Sequence, residues 1–189
     1  EARVHYWLDA NYRSLSKATR TYLARGALGA VADHVLRYVE RAGRDWSAIE
    51  EAELRVALVK EDYILTGTID LLRGKDNTVE IVDFKTERKP DVNSPEDREK
   101  LDRYRRQLEI YAHIVEERYQ RTVSRMHLYY TGTKDGNPYV SYDFERKKIE
   151  KTVTAIGSVV KRIEDKDFST RGIEKSDRHC GDCDIKPYC

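Results

Sequence analysis

Asp70, Asp83 and Lys85 stand where two strands should be apolar. The segment Gly67 to Thr86 reads GTIDLLRGKDNTVEIVDFKT, two apolar runs that meet at a polar turn. Burying a carboxylate within a strand is costly unless a cation or hydrogen-bond donors compensate it. A hairpin of these two runs brings Asp70 near Asp83, where like charges repel. A divalent cation removes that conflict, and Mg²⁺ in particular takes one or two carboxylates and completes its shell with waters and phosphate oxygens. Side chains two apart on a strand share a face. Lys85 therefore lies beside such an ion, placed to orient a nucleophilic water or to steady charge on a phosphate. The Phe84 carbonyl between them is a further hard oxygen.

Strands and helices must hold these groups in register. ELRVALVKE, YILTGTIDLLRG and TVEIVDFKT alternate as three strands, joined by a Glu-Asp turn and by GKDN, and this predicts an antiparallel meander. Upstream, residues 15–42 carry Leu23, Leu28, Val31, Val35, Leu36 and Val39 at three- and four-residue steps, a helical spacing. Gly26 and Gly29 interrupt it, so either two helices abut there or one packs closely against a neighbour. Ser94-Pro95-Glu96-Asp97 reads as a helix start, with Ser94 as N-cap and proline at the first helical position. The helix that follows, to residue 120, sets Leu101, Tyr104, Leu108, Tyr111 and Val115 on one stripe. VSRMHLYYTG, a Lys-Asp-Gly-Asn turn, PYVSYDF and a helix over residues 145–165 complete the chain. The order predicts an α+β fold, a mixed central sheet flanked by helices.

Composition narrows the class. With 189 residues and a net charge of +1, one domain with at most a small appendage is expected, and overall charge does not announce a nucleic-acid binder. Basic residues interleave with tyrosine in RYRRQLEIY and ERYQRTVSR, segments that read either as solvated helix faces or as surfaces for a polyanion. No apolar run nears the roughly 20 residues that span a bilayer, and no signal peptide opens the chain. A soluble, cytoplasmic protein with no membrane partner is expected. The chain opens on Glu1 in a helix-like stretch and closes on a cysteine, which reads as a piece of a longer protein.

Gly67-Thr-Ile-Asp70, followed at about a dozen residues by Asp83-Phe84-Lys85, resembles the PD-(D/E)XK nuclease superfamily, and its RecB-type branch in particular. Two further stretches are similar to that branch. Gly29-Ala-Val-Ala-Asp-His34 matches its histidine on the helix before the sheet. Gln107-Leu-Glu-Ile-Tyr111 matches its Q-x-x-x-Y on the helix after the D-x-K strand, where i and i+4 share one face. The resemblance covers roughly residues 25–189. It implies a restriction-endonuclease-like nuclease domain over residues 1–170 and a cysteine-bearing tail over 171–189. It further implies metal-dependent phosphodiester hydrolysis. His34, Asp70, Asp83 and the Phe84 carbonyl would hold one or two Mg²⁺ or Mn²⁺ ions, Lys85 would stabilise developing charge, and Gln107 and Tyr111 would position the DNA strand. Glu51 or Glu53 either touches a second ion or simply lies at the surface. His5, His113 and His127 carry no motif and read as structural.

The three cysteines, Cys180, Cys183 and Cys189, form C-x2-C-x5-C at the C-terminal end. An odd count in a cytosolic chain argues against a disulfide framework and for metal or cluster ligation. The spacing resembles the iron–sulfur tail of AddB-type and related RecB-like nucleases. It implies a [4Fe–4S] cluster whose fourth cysteine lies outside this chain; a Zn²⁺ site completed by His179 is the alternative. The whole resemblance points to an exonuclease or endonuclease acting on single-stranded or unwound DNA ends. It would be a module of a helicase–nuclease of DNA repair and recombination, with the helicase motor in the same or a partner chain. Three alternatives remain: a stand-alone CRISPR-adaptation-type iron–sulfur exonuclease, a catalytically silent DNA-binding nuclease fold, and a metal-binding scaffold.

Overall fold

Residues Val79 to Asp83 are all buried, without the alternation of a half-exposed strand. Burial on both faces marks a central strand. In the computed structural model, which describes residues 1–20, 22, 24–43, 46–75 and 77–169, this strand, β3 (Thr78–Lys85), sits in the middle of a five-stranded sheet. The sheet is ordered β1 (Ile49–Val59), β2 (Ile64–Lys75), β3, β4 (Val123–Tyr130) and β5 (Tyr139–Asp143). β3 runs antiparallel to β2 and parallel to β4, whereas the β1–β2 and β4–β5 pairs are antiparallel. A parallel pair needs a crossover, and α3 (Pro95–Tyr119) supplies it. The fold is thus the expected α+β one.

α3 begins as its sequence predicts. The Ser94 side chain accepts a hydrogen bond from the Glu96 N–H at 3.3 Å, Pro95 fills the first turn, and Glu96 and Asp97 sit at the positive end of the helix dipole. Its buried face, with Leu101, Leu108, Tyr111, Ala112, Ile114 and Val115, packs on Ile69, Ile81, Met126 and Leu128 as the main core. Each such fully buried aliphatic side chain contributes about 1.5–3 kcal/mol.

The opposite face of the sheet carries a smaller cluster of Leu71, Val82 and Tyr129, with Tyr38, Phe84 and Tyr139 packed on it. Tyr38 meets both Phe84 and Tyr129 edge-on, with ring centroids 5.0 Å apart in each pair, and Tyr129 meets Tyr139 at 4.8 Å. Such edge-to-face pairs add about 0.5–1.5 kcal/mol each beyond their area. Tyr38, Tyr129 and Tyr139 thus build an aromatic layer on this face of the sheet.

Of the helical spacing over residues 15–42, Arg25–Ala42 forms one helix, α2, while residues 15–19 are the last turn of an earlier one, α1 (Ala2–Thr19). The break falls at Arg20, which takes a left-handed φ of 55° as the C-cap of α1. Gly26 and Gly29, expected to mark the interruption, lie inside α2, and a Cβ added at either meets nothing. β1 starts at Ile49 instead of Glu53; its first half is mostly exposed, so no apolar alternation announces it.

The chain divides into two compact units, Glu1–Thr154 and a second beginning at Ala155. α4 (Arg146–Glu164) starts in the first unit, and its Thr152 hydroxyl there donates to the buried Glu109 carboxylate of α3 at 2.5 Å. In the second unit the end of α4 is followed by a turn with Lys166 at φ 54°, and Arg162 pairs with Asp167 at 3.2 Å. Cys180, Cys183 and Cys189 lie outside the described residues. Among the described residues no helix is long and apolar enough to cross a membrane.

Candidate active site

β2 leaves β3 at Asp70. The ladder between them runs as far as Leu71↔Val82, and upstream of that pair β2 follows β1 alone, through Ile69↔Leu54 and Thr68↔Arg55. At the parting, the Asp70 carboxylate takes over from the ladder, and the Phe84 N–H donates to Asp70 Oδ2 at 2.6 Å. Side-chain alternation slips at the same place. Ile69 and Leu72 both belong to the core under α3, while Leu71 faces the other cluster. On β1 the residue flanked by the Ala52↔Leu71 and Leu54↔Ile69 pairs is Glu53, in a left-handed φ of 53°. The N–H and C=O of one strand residue point to the same neighbour. The Phe84 carbonyl therefore faces the gap beside Asp70, uncovered by β2.

The end of β3 projects Asp83 and Lys85 under α3. Asp83 is 4% exposed; burial pushes its carboxyl pKa up, and Asp70 pushes the same way against the opposing influence of Lys85. Lys85 Nζ lies 2.6 Å from Asp83 Oδ2, 3.4 Å from Gln107 Oε1 and 4.1 Å above the centre of the Tyr104 ring. Gln107 in turn donates through Nε2 to the Tyr111 hydroxyl at 3.0 Å. The result is a continuous polar line, Asp83–Lys85–Gln107–Tyr111, from the sheet to the helix. The Tyr111 ring rests directly on Gly67, where an added Cβ would fall 2.5 Å from Tyr111 Cε1. The glycine of GTID and the tyrosine of the α3 motif are thus in contact.

His34 reaches the same strand end from α2. Its Nδ1 is 2.8 Å from Thr131 Oγ1, and that hydroxyl is 3.2 Å from the Lys85 carbonyl oxygen. The Thr131 N–H donates to that oxygen as well, at 2.8 Å. Arg37, one turn along α2, donates through Nη2 to the Thr131 carbonyl at 3.1 Å, and Arg41 donates to the Thr133 carbonyl at 2.8 Å. Burial, followed by the Arg37 charge, lowers the His34 pKa. A cavity of about 370 Å³ opens beside the imidazole, walled by Val31, Tyr38, Phe84 and Thr86.

The tertiary structure therefore brings Asp70, Asp83, Lys85, Gln107 and Tyr111 into one group. It turns the Phe84 side chain away into the aromatic cluster while leaving its carbonyl at the gap. It links His34 to the group through Thr131 and leaves Glu51 and Glu53 exposed on β1. Among the described residues no three His, Cys, Asp or Glu side chains form a metal cage. Two carboxylates suit Mg²⁺, which keeps several waters. The buried Asp83 Oδ2, ion-paired with Lys85 but without an aligned hydrogen bond, is a donor of the kind such an ion takes. Two residues of the site escape sequence reasoning. Tyr104, assigned above to the apolar stripe, lies one turn before Gln107 on the same helix face and forms the floor under Lys85. Thr131 directly follows β4 with no motif around it, and nothing in the sequence signals its role.

A family model described as the PD-(D/E)XK nuclease superfamily matches residues 1–189. No curated protein matches the chain by sequence. Among solved structures, a candidate exonuclease from Eubacterium rectale is 12% identical with a TM-score of 0.58, the alignment covering 99% of this chain and 71% of that one. The protein designated SSO0001 is 17% identical with a TM-score of 0.48, covering 98% of this chain and 79% of its own.

Proposed function

Because the chain belongs to the PD-(D/E)XK nuclease superfamily, we propose that it is a Mg²⁺- or Mn²⁺-dependent deoxyribonuclease acting on single-stranded or unwound DNA ends. One observation carries this reading: the buried Asp83 carboxylate, with its pKa raised, stands beside Asp70 where β2 parts from β3. Asp70, Asp83, the Phe84 carbonyl and His34 would hold the ion. When bound, it polarises the scissile phosphate and lowers the pKa of a water ligand. The Lys85 ammonium, fixed by Asp83, Gln107 and the Tyr104 ring, meets negative charge developing on the phosphate. Gln107 and Tyr111 orient the strand from α3.

The Eubacterium rectale neighbour's description as an exonuclease favours end-directed cleavage. The spacing of Cys180, Cys183 and Cys189 supports an iron–sulfur tail beyond residue 170. We assign the protein to a helicase–nuclease of DNA repair on the sequence resemblance alone.

The test is cleavage of end-labelled single-stranded DNA with Mg²⁺ or Mn²⁺ by the wild type, Asp83→Ala and Lys85→Ala. Metal-dependent product should vanish in Asp83→Ala, and Lys85→Ala should lose about 10²–10³-fold in rate, as for other removed charge-stabilising groups. Cleavage unchanged in both variants would sink the assignment.

A further inference from the structure

Thr131 carries more information than its sequence position suggests. A hydroxyl has one proton to donate and two lone pairs to accept with, and a carbonyl oxygen only accepts. Thr131 Oγ1 lies 3.2 Å from the Lys85 carbonyl oxygen and 2.8 Å from His34 Nδ1. Its single proton therefore goes to the Lys85 carbonyl, and at His34 the hydroxyl accepts. The proton between them belongs to the imidazole, on Nδ1. In a neutral imidazole the other nitrogen, Nε2, then carries a lone pair.

We infer that Thr131 is a positioning residue that fixes His34 in the Nδ1–H tautomer and so presents Nε2 as a lone-pair donor to the divalent ion. The metal part of this statement rests on the proposed nuclease function; the tautomer does not.

The surroundings are built to hold this arrangement. The Thr131 N–H donates to the same Lys85 oxygen at 2.8 Å, and Arg37 and Arg41 of α2 clasp the Thr131 and Thr133 carbonyls. Thr131 is thus tied on one side to the β3 strand end that carries Asp83 and Lys85, and on the other to the helix that carries His34. A partner that hydrogen-bonds one ring nitrogen sets both tautomer and ring orientation for the other. Loss of such a partner usually costs about 10–100-fold in metal affinity.

The experiment uses the whole chain, labelled with ¹⁵N and free of added metal, at a pH where His34 is neutral. Long-range proton–nitrogen correlation reads the two ring nitrogens of each histidine, and His34→Gln identifies the His34 signals by their disappearance. Wild type should show a protonated Nδ1 and an unprotonated, pyridine-like Nε2. Thr131→Val, which keeps the shape and the backbone hydrogen bond, should move the proton partly or wholly to Nε2, and Thr131→Ser should restore the wild-type pattern. Binding of Mn²⁺, followed by loss of the free-ion resonance, should weaken about 10–100-fold in Thr131→Val and stay near wild type in Thr131→Ser.

A wild-type His34 protonated on Nε2, or a tautomer indifferent to Thr131→Val, overturns the proposal. So does a shifted tautomer with Mn²⁺ affinity unchanged. Absence of Mn²⁺ binding in every protein would instead count against the metal-dependent function, while the nitrogen spectra would still judge the tautomer.

Discussion

Replacing Gly67 by alanine probes the contact that locks the β2 motif to the α3 motif. An ideal Cβ at Gly67 would lie 2.5 Å from Tyr111 Cε1 and 3.3 Å from Cζ, where ordinary contact begins at 3.4 Å. Tyr111 has little room to give way, being 8% exposed with its hydroxyl held by Gln107 at 3.0 Å. Forcing an extra carbon into such a site costs about 1–3 kcal/mol, against about 0.5–1 kcal/mol that alanine gains over glycine inside a regular element. The expected net loss is about 1–2 kcal/mol. Tyr111→Leu removes the clashing Cε1, so in that background Gly67→Ala should be neutral or stabilising. The coupling energy of the pair is then about 1.5–3 kcal/mol, within the range of residues in direct contact. Urea unfolding of the four proteins, followed by circular dichroism and tryptophan fluorescence, yields the cycle. Equal destabilisation by Gly67→Ala in both backgrounds, a coupling under about 0.5 kcal/mol, would refute the contact and with it the interlocking of the two motifs.

Further consequences concern stability. Burial lowers the His127 pKa to about 4, with Arg73 and Arg125 acting in the same direction and Glu80 against it. The unfolded chain therefore takes the proton first, near pH 6.5, and stability falls as the pH drops from there toward about 4, by no more than ~1.4 kcal/mol per unit. Urea midpoints at pH 7 and pH 5 should diverge less in His127→Gln than in the wild type. At the C-cap of α3, Gln120 sits in a left-handed φ of 55°. Gln120→Gly should gain about 0.5–1 kcal/mol and raise Tm by about 2–4 °C per kcal/mol, read by calorimetry. Thr152→Val strands the buried Glu109 carboxylate with Arg105 as its remaining partner. That should cost about 1–3 kcal/mol in chemical denaturation, with Thr152→Ser recovering most of it.

Much of this protein is written in short-range physics and can be read from one chain. Ser94-Pro95-Glu96-Asp97 starts α3 because a capping hydroxyl, a proline and two acids satisfy and charge-match a helix end locally. The apolar stripe of α3 and the strand character of β3 follow from helix and strand periods, whereas the unbroken burial of β3, Glu80 and Asp83 included, comes only from its central place in the sheet. Asp70, Asp83 and Lys85 are visible because acids and a lysine contradict the apolar runs around them, whereas Gln107 and Tyr111 stand out only through their resemblance to a family motif.

Other features depend on groups distant in sequence. The break between α1 and α2 falls at Arg20, while the glycines that seemed to announce it sit harmlessly inside a helix. The parting of β2 from β3 comes from competition between a ladder carbonyl and the Asp70 carboxylate for the Phe84 N–H. That competition is decided only when both strands are in register, with Glu53 bent opposite. Tyr104 reads as core until Lys85 lies over its ring. Thr131 has no signal at all, because its meaning is a count of donors and acceptors contributed by α2, β3 and its own backbone. The sequence by itself determined which elements form and which side chains can do chemistry. The tertiary structure decided which hydrogen bonds those side chains make, since partners such as His34 and Thr131 lie 97 residues apart in sequence and meet only in the folded chain.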